Sequence, residues 1–66
     1  MDTREYRRRV MIALAEHEMK QGDLIPLIRQ TGTYCDGAYL SRILSGKKGG
    51  RKVKAAIKEI LGVDDV

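Results

Sequence analysis

Residues 36–46 read DGAYLSRILSG and contain both the start and the stop signals of a short helix. Asp36 is a favourable N-cap, and Gly46 is a favourable terminator because glycine readily adopts the left-handed backbone that often ends a helix. The apolar residues recur at i, i+3 and i+4, which predicts one buried helical face: Leu40, Ile43 and Leu44. We therefore expect a helix from about Gly37 to Ser45, whose other face is small or polar.

The outward side of this predicted helix is slim near its N-terminus. Small residues there allow a helix to approach base edges in a DNA major groove, which is about 12 Å wide. Arg42 has two possible partners, since its guanidinium matches either the two acceptors of guanine or a phosphate. Tyr39 has two possible roles that the sequence favours equally: packing in the core and contact with a thymine methyl. The candidate DNA contacts on this helix are Gly37, Ala38, Tyr39, Ser41 and Arg42.

Three further amphipathic segments predict helices over about 3–17, 23–30 and 51–61. Thr3 is a suitable N-cap for the first of them. For the second, Asp23 as N-cap places Pro26 at the third helical position, where a missing N–H costs nothing. No segment has the alternating pattern of a strand. We therefore expect a single compact all-α domain over residues 1–66, with four or five helices.

The positive charge is concentrated in the middle of the chain. The whole chain carries a net charge of +4, but residues 20–58 contain nine cations against two acids. Five of these cations fall within residues 47–54. Such a density is typical of a surface that binds a polyanion, because each cation on a phosphate releases a counterion. A solvated basic face that only maintains solubility is the alternative.

Several function classes are disfavoured by composition. No apolar run approaches the roughly 18 residues of a membrane span, and the stretch Val10 to Ala15 is too short for a signal peptide, so we expect a cytoplasmic protein. One cysteine, Cys35, and one histidine, His17, provide neither a disulfide framework nor a zinc site. We expect no cofactor and no metal, and a chain this short favours a binding module over an enzyme.

Cys35 directly precedes the predicted N-cap Asp36. The start of a helix favours negative charge, which predicts a slightly lowered thiol pKa for this cysteine. No neighbouring sequence feature supports a redox role, so we expect Cys35 to be an inert small residue.

Two short helices joined by a polar connection have the pattern of a helix-turn-helix. Residues 39–48, YLSRILSGKK, resemble the recognition-helix signature of the λ repressor/Cro-like (XRE) helix-turn-helix proteins. Residues 52–62, KVKAAIKEILG, are similar to the next helix of that family. The resemblance extends from about Gln21 to Gly62 and is strongest to the small regulators of phages and mobile elements. The connection from Arg29 to Asp36 is longer than the family's usual turn of about four residues.

The resemblance implies a λ repressor-like fold and a set of backbone contacts in addition to the predicted recognition helix. In the family, the glutamine that begins the first motif helix commonly contacts the DNA backbone, and Gln21 occupies the matching position. Lys47 and Lys48 directly follow the recognition helix and Arg51 begins the next one, so all three are expected to contact phosphates.

We therefore expect a transcriptional regulator that binds double-stranded DNA in a sequence-specific manner, with a repressor favoured over an activator. A homodimer is compatible with this expectation, and no small-molecule ligand is evident. The main alternative is a protein-interaction module, such as an antirepressor, on the same helical scaffold. Single-stranded RNA is disfavoured because three tyrosines without Phe or Trp provide few stacking surfaces. A membrane-surface peptide is disfavoured because the cations do not accompany one exposed apolar face.

Overall fold

The amphipathic segments of the sequence all form helices. A computed structural model describes residues 3–64, which contain four α-helices and no strand: α1 (Thr3–Glu16), α2 (Gln21–Gln30), α3 (Gly37–Leu44) and α4 (Arg51–Leu61). The prediction of an all-helical chain is confirmed for these residues; residues 1, 2, 65 and 66 lie outside them. None of the four helices is long and apolar enough to cross a membrane.

The core lies where the apolar faces of the helices meet. Helix α1 packs against α3 and α4, and α2 packs against the same two helices. The Cα radius of gyration is 10.4 Å, close to the value of about 11 Å expected for a compact chain of this length. The buried residues come from every helix, from the connection between α2 and α3 and from the segment after α4: Tyr6, Val10, Ala13, Leu14, Leu24, Ile28, Cys35, Leu40, Ile43, Leu44, Val53, Ala56, Ile57 and Val63.

The predicted start of α2 was wrong. The helix begins at Gln21 with Lys20 as N-cap, so Asp23 occupies the third helical position instead of the cap. Its carboxylate accepts a hydrogen bond of 2.9 Å from the backbone N–H of Lys20. An acid at this position satisfies an orphan donor and favours the positive end of the helix dipole, so it stabilises the start as an N-cap would.

Pro26 consequently lies inside α2 and not in its first turn. The proline provides no N–H for the carbonyl oxygen of Gly22, four residues earlier, and its ring crowds that carbonyl. Both residues are exposed, so water has access to the carbonyl that loses its helical partner. The helix accepts this defect because Leu24 and Ile28 are fully buried on its other side.

The first helix also differs slightly from the prediction. Thr3 lies within α1 and is not its N-cap, and its side chain closely approaches the backbone of Gly46. The helix ends at Glu16, and His17 follows it as an exposed residue. The contact between Thr3 and Gly46 joins the start of α1 to the end of α3.

Candidate nucleic-acid interface

Helix α3 has one buried face and one exposed face. Its exposed residues recur at i, i+3, i+4 and i+7 and form a single stripe of small and polar side chains: Ala38, Ser41, Arg42 and, at its C-cap, Ser45. The opposite face is fully buried in the core through Leu40, Ile43 and Leu44. The stripe contains one long side chain, Arg42, on an otherwise slim surface.

Gly37 and Tyr39 lie at the two edges of this stripe. Gly37 faces α2, since a Cβ atom built on it would lie 3.8 Å from Cδ1 of Ile25. Tyr39 is partly buried at the other edge and packs against the core. Its ring centroid is 6.1 Å from that of Tyr34, with an angle of 44° between the ring planes. The structure therefore gives Tyr39 a packing role and leaves part of its ring accessible.

The N-terminal end of α3 is capped by Asp36, as predicted. Its carboxylate accepts a hydrogen bond of 2.7 Å from the backbone N–H of Tyr39 and another from the hydroxyl of Tyr34. The bond from Tyr34, together with that from the backbone of Tyr39, lowers the pKa of Asp36, and the positive charge of Arg42 lowers it further. The same bond and the charge of Asp36 raise the pKa of Tyr34. The ionisation of Asp36 is therefore coupled to the hydroxyl of Tyr34 and to the charge of Arg42.

Backbone hydrogen bonds at the C-terminal end of α3 fix the first two lysines of the following loop. Gly46 has a φ of 85°, and its N–H donates to the carbonyl oxygen of Ile43 at 3.2 Å. The N–H groups of Lys47 and Lys48 both donate to the carbonyl oxygen of Arg42, at 2.9 and 3.3 Å. This is the Schellman pattern of a glycine-terminated helix. The backbone of both exposed lysines is therefore fixed next to the stripe.

The start of α4 is fixed against α3 by a close backbone contact. Gly50 has a φ of 57°, in the left-handed region, and a Cβ atom built on it would lie 2.5 Å from Cγ1 of Ile43. Only glycine fits both the backbone conformation and the space. Arg51 directly follows Gly50. The contact therefore fixes the backbone of Arg51 next to α3, while its side chain is exposed.

The cations of the basic segment differ in their partners. The ammonium of Lys54 lies 5.0 Å from the centre of the Tyr6 ring, and that of Lys58 forms a 3.0 Å salt bridge with Asp64. Within residues 3–64, no ion pair joins Lys47, Lys48 or Arg51 to an acid. These three cations are available to an external anion, whereas Lys54 and Lys58 have contacts within the fold.

Gln21 lies at the end of α2 that is away from the connection to α3. It begins this helix and is half-buried, while the connection to α3 follows the other end. A ten-residue helix is about 15 Å long. The structure thus brings Ala38, Ser41, Arg42 and the loop cations together, and it places Gln21 about one helix length from the connection.

The connection between α2 and α3 contains residues whose roles the sequence pattern did not indicate. Tyr34 is 64% exposed, whereas the adjacent Cys35 is fully buried. Burial raises the pKa of the Cys35 thiol, and the charge of Asp36 adds to this effect. The prediction of a lowered pKa was therefore wrong, because loss of hydration disfavours the charged thiolate.

The described residues contain no cluster of three or more His, Cys, Asp or Glu side chains that could hold a metal ion. The geometry combines a slim exposed helix face with two lysines, Lys47 and Lys48, after its C-terminal end and the aromatic pair of Tyr34 and Tyr39 at its N-terminal end. Such a surface has the chemistry to contact an extended anion. Comparisons of this chain with protein-family models, curated proteins and solved structures find no match.

Proposed function

We propose that this chain is a sequence-specific double-stranded DNA-binding protein of the λ repressor/Cro-like helix-turn-helix type. It acts as a transcriptional repressor by occupying an operator, with α3 in the major groove. One observation carries this proposal: the exposed stripe of α3 is continuous with cations that have no acidic partner within residues 3–64.

The stripe has suitable dimensions and chemistry for the groove. An α-helix with its side chains is about 10–12 Å across, and the major groove is about 12 Å wide. Ala38, Ser41 and Ser45 are short, so the helix backbone can lie close to the base edges. Arg42 then reaches a guanine or, with a small change of side-chain torsions, a phosphate.

The flanking cations provide affinity that does not depend on sequence. Lys47 and Lys48 follow the stripe directly, and their backbone is hydrogen-bonded to Arg42. Each cation that neutralises a phosphate releases a counterion, which strengthens binding at low salt. Arg51 contacts a further phosphate on the same strand. Gln21 contacts the DNA backbone on the other side of the groove. Phosphate contacts of this kind set the orientation in which α3 meets the bases.

A protein-interaction module is the second candidate, and one observation favours it. Ile12 is 48% exposed on α1, a helix that contributes none of the candidate DNA contacts. An exposed large apolar side chain can anchor a partner protein, although single exposed apolar residues are also common on monomers. The two candidates use different surfaces, so one experiment can separate them.

The test is an NMR titration of the uniformly labelled chain with a random-sequence duplex at two salt concentrations. DNA binding predicts chemical-shift changes clustered at residues 37–48 and at Arg51, smaller at high salt. A site selected from a random duplex pool should then bind more tightly than its scrambled version. No shift at any duplex concentration, or shifts confined to α1 around Ile12, would reject the proposal.

A further inference from the structure

The connection between α2 and α3 is longer than a usual helix-turn-helix turn and contributes side chains to both the core and the surface. Six residues, Thr31 to Asp36, separate the two helices, compared with three or four in the usual turn. Cys35 anchors this segment in the core, while Tyr34 projects from it with most of its ring exposed. The extra length therefore presents an aromatic side chain at the N-terminal end of α3.

Tyr34 borders an open cleft between this connection and the start of α4. The cleft has a volume of about 380 Å³ and is lined by two tyrosines, Tyr34 and Tyr39, by two cations, Arg51 and Lys52, and by Gly32, Thr33, Gly50 and Val53. We call it the tyrosine cleft. Two aromatic rings and two cations around a glycine backbone match the chemistry of a nucleotide unit, which has a sugar, a base face and a phosphate.

The tyrosine cleft is continuous with the exposed stripe of α3. Tyr39 belongs to both, because it lies at one edge of the stripe and lines the cleft. Asp36 lies between the two surfaces. Its carboxylate accepts a hydrogen bond from the hydroxyl of Tyr34 in the cleft, and the positive charge of Arg42 in the stripe stabilises its negative charge. A duplex that contacts the stripe would thus have one strand next to the cleft.

We propose that the tyrosine cleft holds one sugar–phosphate unit of the DNA strand that borders the groove occupied by α3. The ring of Tyr34 packs against the deoxyribose, and Arg51 and Lys52 bind the adjoining phosphate. This inference rests on the proposed function and adds an affinity-determining element to it. The aromatic ring contributes contact area with little loss of side-chain freedom, because Asp36 already holds its hydroxyl.

The competing explanation is structural, since Tyr34 also supports the N-cap of α3 through its hydroxyl. Two variants separate these roles. Tyr34→Phe removes the hydrogen bond to Asp36 but keeps the ring, whereas Tyr34→Ala removes both. Binding is measured on a selected duplex, a scrambled duplex and a single-stranded oligonucleotide at several salt concentrations, and thermal melts verify that each variant is folded.

The proposal predicts that Tyr34→Phe binds the selected duplex within about twofold of wild type and that Tyr34→Ala binds about five- to tenfold more weakly. Neither variant should change the salt slope, because tyrosine carries no charge. Arg51→Gln should weaken binding and reduce the slope by about one, as expected for a lost phosphate contact.

Each other result overturns the inference in a recognisable way. Equal binding by Tyr34→Ala and wild type rejects the cleft but leaves the proposed function intact, whereas no duplex binding by wild type rejects both. Equal losses in Tyr34→Phe and Tyr34→Ala assign the effect to the hydroxyl, and a loss limited to single strands assigns the cleft to a different ligand. If Tyr34→Ala does not fold, the wild-type complex decides: cross-peaks between Tyr34 ring protons and deoxyribose protons support the proposal, and their absence at saturation rejects it.

Discussion

The backbone N–H of Lys47 donates to the carbonyl oxygen of Arg42 at 2.9 Å. The hydrogen bond joins the backbone of the residue with the one long side chain of the exposed stripe to the backbone of the first cation beyond it. In the proposed complex, the backbone positions from which the base contact and the phosphate contact are made are therefore set by the end of one helix. Variants at the two positions should consequently affect binding in different ways.

Arg42→Ala should cost about 1–3 kcal/mol on the best duplex site and relax the sequence preference there, if the guanidinium binds a base. Lys47→Ala should weaken selected and scrambled duplexes alike and lower the salt slope by about one, and Lys48→Ala should do the same. Binding isotherms at several salt concentrations measure both quantities. Parallel losses in Arg42→Ala and Lys47→Ala on all duplexes would instead identify Arg42 as a backbone anchor.

Gly50→Ala should destabilise the fold by about 1–3 kcal/mol. The added methyl group would need a left-handed backbone and would overlap the buried side chain of Ile43. Gly49→Ala is the matched control, because its backbone has no positive φ and no atom lies within 4 Å of the added group. Urea denaturation of both variants measures the difference, and equal stability would contradict the close contact at Gly50.

Stability should decrease in acid partly because of Asp36. Its pKa in the folded chain is lowered by the hydrogen bonds from Tyr34 and Tyr39, so the stability it contributes is fully present above the unfolded pKa of about 3.9. That contribution is lost as the pH falls through the lower, folded pKa. Thermal melts between about pH 5 and pH 2 should therefore show a steeper decline for wild type than for Asp36→Asn, which retains a good N-cap. If wild type and Asp36→Asn lost stability equally in acid, Asp36 would not be a cause of the acid sensitivity.

Pro26→Ala should stabilise the chain, by about 1–3 kcal/mol. Alanine restores an N–H for the carbonyl oxygen of Gly22 and removes the ring that crowds it. The gain is reduced by about 0.4–1 kcal/mol, because alanine leaves the unfolded chain more flexible. Denaturant midpoints provide the measurement. A lower midpoint for Pro26→Ala would mean that the proline packs better, or restricts the unfolded chain more, than its exposed position in α2 indicates.

The helices whose ends are marked by local signals could be predicted from the sequence. Asp36 caps α3 as the sequence indicated, and α4 ends at Leu61, the predicted last residue, where Gly62 has a φ of 75°. The start of α2 could not be placed in the same way. Asp23 stabilises it from the third helical position, and an acid there looks the same in sequence as an acid at the cap.

The candidate interface was predictable to the extent that it lies on one helix face. The stripe of α3 follows from helical periodicity, but the contact of Gly50 with Ile43 joins two elements, so no periodicity contains it. The opposite environments of Tyr34 and Cys35 arise in a connection without regular structure. Which of two neighbouring side chains enters the core there depends on the path of the backbone between α2 and α3.

The full burial of Cys35 has a consequence for the mechanics of the proposed DNA association. The connection cannot swing away from the helices without withdrawing this side chain from a close-packed core and opening a cavity. Helices α2 and α3 and the segment between them should therefore move as one preorganised body. Such a body meets its ligand without first ordering a loop, so the heat-capacity change on association should reflect surface burial alone, without a contribution from coupled folding.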